Sequence, residues 1–102
     1  MSGRDLATLT VADFAALVGE GFALAAADAP SLTLVLRAAR ELEHGRDGAA
    51  RAPFALTFAG PAEPLLAQQI VPLEHPALGR LELFLVPLGR DADGVRYEAI
   101  FS

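Results

Sequence analysis

The feature that most limits how this chain can fold is a change of hydrophobic period at Gly19. Before it, apolar residues recur at helical spacing. After it they alternate in short runs, each closed by glycine, proline or aspartate. Side chains along a strand point to opposite faces in turn, so alternation over short runs calls for half-buried β-strands, and the breakers between them call for tight connections.

Ahead of the switch, Thr10 stands where a helix N-cap belongs, Asp13 follows three residues later, and Phe14, Leu17 and Val18 share one helical face. The spacing predicts a helix over 11–18, ended by Gly19, with Leu9 placed to staple onto Phe14. Beyond it, Phe22, Leu24 and Ala26 form a first strand that closes at the turn residues Asp28, Ala29 and Pro30. Residues 32–43 fit two patterns: Leu32, Leu34, Leu36, Ala38 and Leu42 suit a strand, whereas Leu32, Val35, Leu36, Ala39 and Leu42 suit a helix capped by Ser31. The run Thr33, Leu34, Val35 favours the strand, although 38–43 has good helix propensity.

A polar stretch, 44–51, contains Gly45 and Gly48 and is expected to be an exposed hairpin loop. Phe54, Leu56 and Phe58 make a third strand, closed by Gly60 and Pro61, and 60–64 must be a connection because of its two prolines. Residues 68–75 form a fourth strand in which Pro72 points to an edge or a bulge. Residues 80–88 form the most apolar strand, with Leu81, Leu83 and Leu85 on one face and Phe84, Val86 and Leu88 on the other, so both faces are expected to be covered. After a turn at 91–94, Val95, Tyr97, Ala99 and Phe101 line one face of the last strand.

Six strands with no crossover helix between them predict a mainly β domain: a small six-stranded antiparallel meander, closed into a barrel or folded into a sandwich, with the short N-terminal helix as a plug. At 102 residues the chain is expected to be a single domain, 1–102.

The chemistry of the residues argues against an enzyme. There is no cysteine, hence no disulfide, thiolate metal site or thiol nucleophile. Ser31 lacks the glycine-flanked elbow of a hydrolase nucleophile, and His44 and His75 are a whole strand apart with no ligand partner at helix or alternate-strand spacing. Asp91, Asp93 and Gly94 make a hairpin turn rather than a calcium loop, and Gly19-Glu20-Gly21 follows a helix instead of opening one. Glu74, Glu82 and Glu98 read as solubilising carboxylates. No catalytic residue, cofactor or metal is expected.

A net charge of -5, from 13 acidic residues against 8 arginines in no basic stripe, argues against nucleic acid as a partner. Neither a signal-peptide pattern nor an apolar run of the ~20 residues that a membrane helix needs is present, so the protein is expected to be cytoplasmic and off the membrane. With 53% hydrophobic residues and a mean hydropathy of +0.38, however, the chain carries more apolar matter than a small core absorbs. That surplus predicts a protein partner. The expected partner-binding residues are Phe84, Val86 and Leu88 with His75 in the neighbouring turn, beside any strand edge that an open sheet leaves unpaired. The alternatives are a small β-barrel whose Phe22, Phe54, Phe58 and Tyr97 line a cavity for an apolar ligand, and a homo-oligomer.

Several stretches also resemble a family of small uncharacterised bacterial proteins: 9–14 (LTVADF) with Val18 and Gly19, 53–58 (PFALTF) with Gly60 and Pro61, 73–79 (LEHPALG), 83–87 (LFLVP) and 97–101 (YEAIF). The likeness covers most of the chain apart from 25–50. Such proteins are similar to those encoded beside fibre proteins with a phage-tail collar domain. The resemblance therefore implies an accessory or assembly chaperone for a tail-like fibre, and it implies no catalytic residues.

Overall fold

Helix α1 (Val11–Ala15) begins where the aspartate sits within reach of its own N-terminus. The Asp13 carboxylate accepts the Thr10 backbone N–H at 2.8 Å and the Thr10 hydroxyl at 3.3 Å, satisfying a donor that the helix itself leaves free. The helix is shorter than the predicted 11–18. Leu17 and Val18 donate their N–H groups three residues back, to Phe14 and Ala15, and Gly19 takes a φ of +95° that turns the chain away. The Gly19 N–H already bonds to the Leu36 carbonyl at 2.7 Å, so a strand that comes later in the chain takes over the backbone before a further helical turn can form. Val18 is consequently left 45% exposed.

The computed structural model describes residues 9–25, 32–42, 53–63, 65–92 and 94–101. The turn at Asp28 to Pro30, Ser31, the loop 44–51 with His44, and Asp93 lie outside them. Six strands follow α1: β1 (Gly21–Leu24), β2 (Thr33–Glu41), β3 (Phe54–Gly60), β4 (Gln69–His75), β5 (Gly79–Asp91) and β6 (Gly94–Phe101). Residues 33–41 are strand rather than helix. Their partner decides it: a ladder from Val35 opposite Ala59 to Glu41 opposite Phe54 pairs them with β3, and one irregularity between Leu36 and Ala38 keeps the apolar side inward.

All pairings are antiparallel, and the strands close into a barrel in the order β1-β2-β3-β6-β5-β4. The barrel and its six antiparallel strands are as the alternation predicts. The order is that of two three-stranded meanders, 21–60 and 69–101, laid side by side, and not of one continuous meander. The connection after β3 therefore crosses the barrel mouth to reach β4, and Tyr97, itself buried, accepts the Leu66 N–H at 2.9 Å to hold it there. Close approach marks the same end: a Cβ on Gly94, whose φ is +122°, would lie 2.1 Å from the Gly60 carbonyl oxygen.

At the opposite end Phe14 from α1 packs on Phe54 and Phe101, with ring centroids 5.8 and 5.4 Å away, and Phe54 stacks on Phe101 at 4.5 Å. Pro72 lies where the β1–β4 ladder runs out. Its carbonyl accepts the Ala25 N–H at 2.9 Å, so the side on which proline lacks a donor faces the first residue after β1. In the interior, Leu34, Leu36, Leu56, Phe58, Leu73 and Leu85 are all no more than 1% exposed.

Candidate interaction surface

The inner and outer sides of β5 are set by its register with β4. Leu81 faces Leu73 and Leu83 faces Val71, all buried, and these fix the inner row. One residue out of phase, Phe84 stands opposite Ile70 on the outside, and the two are 51% and 63% exposed. Val86 is half-buried beside Phe84, opposite Glu98 of β6. Ile100, two residues beyond Glu98 on the same outer side, is 54% exposed. Between Pro87 and Gly89 the β5–β6 register shifts, so Leu88 is the extra residue of a bulge and stands 56% exposed.

The outer face of β5 is thus open, contrary to the expectation that both faces are covered. The helix lies against β2 and β3 instead. Sequence reading placed Phe84, Val86 and Leu88 together and missed Ile70. The signal was available: Ile70 is out of phase with Val71 and Leu73, whose side is inward. Closure of the barrel gives each strand two neighbours, so a free edge, expected from an open sheet, is replaced by an exposed face as the feature that a partner would meet.

His75 does not join this surface. It continues the inward series Val71, Leu73, His75 on β4 and is 6% exposed, with its ring 4.8 Å from that of Phe22. Its Nδ1 accepts the Ala77 N–H at 2.9 Å, which places the ring proton on Nε2, and Nε2 donates to Glu20 Oε1 at 2.6 Å. Both ring nitrogens are engaged within the chain. Its work is to tie the segment after α1 to the β4–β5 turn. Among the described residues no group of three His, Cys, Asp or Glu side chains is arranged to hold a metal ion.

Of the aromatic residues expected to line a cavity, Phe22 meets Phe58 edge to face at 5.4 Å and Phe54 packs on Phe14 and Phe101, and all four, Phe22, Phe54, Phe58 and Tyr97, are at most 1% exposed. No helix among the described residues is long and apolar enough to cross a membrane.

A family model described as Domain of unknown function (DUF6916) matches residues 9–101. The chain belongs to that family. The match begins at Leu9, the first buried core residue among those described, and ends at Phe101, the last residue of β6, so the DUF6916 unit is the helix and the closed barrel together. It also runs through 25–50, the stretch that the family resemblance read from the sequence leaves out. No curated protein and no solved structure matches the chain.

Proposed function

We propose that this DUF6916 domain is a non-enzymatic interaction module that docks another protein on the outer face of β4 and β5. The observation that carries the reading is the direct pairing of two large exposed apolar side chains, Ile70 and Phe84, at the centre of a sheet face that nothing among the described residues covers. Val86, Leu88 and Ile100 extend the patch. The commitment of both His75 nitrogens, together with ring-on-ring packing in the interior, favours this over an enzyme and over a barrel that takes a small apolar ligand.

The likeness to proteins encoded beside tail-collar fibres supports a finer proposal: the partner is a fibre protein of that type, and the domain is its accessory or assembly chaperone. The test is co-purification of the tagged chain with a collar-domain fibre protein from the same genome, for the parent and for Phe84→Asp. The expected result is a complex with the parent that is lost with a variant of unchanged circular dichroism. Equal recovery with Phe84→Asp would remove the β4–β5 face from the proposal, and no complex with the parent would remove the fibre.

A further inference from the structure

The patch carries a charge pattern as well as an apolar one, and the pattern restricts what can cover it. We infer that the partner surface has an apolar centre flanked by arginine or lysine, and that Glu82 and Glu98 select it; this rests on the docking role proposed above. Glu82 precedes Phe84 on the same outer side of β5, and Glu98 stands opposite Val86. The two carboxylates therefore bracket the centre of the patch from adjacent strands.

Among the described residues Glu98 forms no ion pair, and the one that Glu82 forms is weak. Arg80 approaches Glu82 at 3.6 Å, but both side chains are about half exposed, at 47% and 62%, where such a pair is worth little. Arg96 is engaged by Asp91 at 2.7 Å. Further round the barrel, Ala55 stands opposite both Ile100 and Arg40, so Arg40 is two strand spacings, about 10 Å, from Ile100. Glu74, opposite Arg80, adds a third carboxylate to the outer side of β4.

A partner with an acidic or neutral rim would desolvate Glu82 and Glu98 without pairing them. A second copy of the chain would set the same carboxylates near like charges, and the net charge of -5 works against anionic lipid or nucleic acid. Basic flanks turn the same two groups into pairs, which speeds encounter and rejects wrong partners.

The inference is tested with three synthetic peptides that share one apolar core of alternating isoleucine and threonine and are flanked by arginine, serine or glutamate. Each is titrated into the isotope-labelled full chain, with the amide signals of Ile70, Phe84 and Ile100 as the readout. The arginine-flanked peptide is expected to shift these signals and to bind about tenfold more tightly than the glutamate-flanked one. In the double variant Glu82→Gln, Glu98→Gln the preference should fall to about twofold.

Equal binding of all three peptides, or a preference that survives in the double variant, overturns the inference and leaves the docking role standing. If no peptide shifts these signals, the docking role fails and the inference with it. Self-association in sedimentation that Phe84→Ser abolishes would make a second copy the occupant and also overturn the inference.

Discussion

Leu81, Leu83 and Leu85 share one strand with Glu82, Phe84 and Val86, and yet the first three are at most 2% exposed while Phe84 is 51% exposed. Residues of similar hydrophobicity, one position apart, meet different surroundings because the pleat sends them to opposite sides of a closed sheet. The inner row has Leu73 and Val71 across from it within the buried core; the outer row has Ile70 across from it and stands open to solvent at Phe84. The inner side chains are thus expected to hold the fold and the outer ones to serve a partner, and substitutions can separate the two.

The largest effect is expected from Leu85→Ala. Its side chain is fully buried, and the lost burial together with the cavity left behind should cost about 3 kcal/mol in urea unfolding. A cost below about 1 kcal/mol would mean that the inner row is loosely packed, and the contrast with the outer row would collapse. His75→Ala comes next at about 2 kcal/mol, since it removes the ring against Phe22 and leaves Glu20 and the Ala77 N–H without their partner. Because the ring faces inward, peptide binding at Phe84 should be unchanged in the surviving folded protein. A binding loss as large as that from a Phe84 substitution would return His75 to the interaction surface.

At the far mouth of the barrel the same inner face ends on a hydroxyl. Tyr97→Phe should cost about 1 kcal/mol and speed hydrogen exchange at the Leu66 amide, which loses its acceptor. Unchanged exchange there would show that the crossing connection is held by Leu66 packing alone.

How far these features could be read from the residues depends on the range of the interaction. The inner rows were legible because alternation is local: Phe54, Leu56 and Phe58, and Val95, Tyr97, Ala99 and Phe101, all lie inside. The side-by-side order of β3 and β6 was not, because a strand's own pattern does not name its neighbour. His75 lies inward and not on the turn surface because it is still part of β4 and keeps that strand's phase. Parity with Val71 and Leu73 points it inward, but the Glu20 that makes burial tolerable is 55 residues away in the chain. The helix was overextended at 16–18 for a related reason, since the Leu36 carbonyl that captures Gly19 belongs to another element.

The smallest effect on stability is expected where the effect on function should be greatest. Phe84→Ser removes a half-exposed ring that stands opposite Ile70, itself 63% exposed. Little buried area is lost, and a surface position of this kind normally changes stability by no more than about 0.5 kcal/mol. The same ring, once covered by a partner, would bury most of its remaining surface, and an aromatic anchor at the centre of an interface commonly carries 2 kcal/mol or more of the binding energy. The expected outcome is a thermal transition close to the parent's together with loss of the arginine-flanked peptide. If Phe84→Ser instead unfolds the domain as readily as Leu85→Ala, the outer ring is structural, the two faces of β5 do the same job, and the surface that a partner recognises must be sought on another side of the barrel.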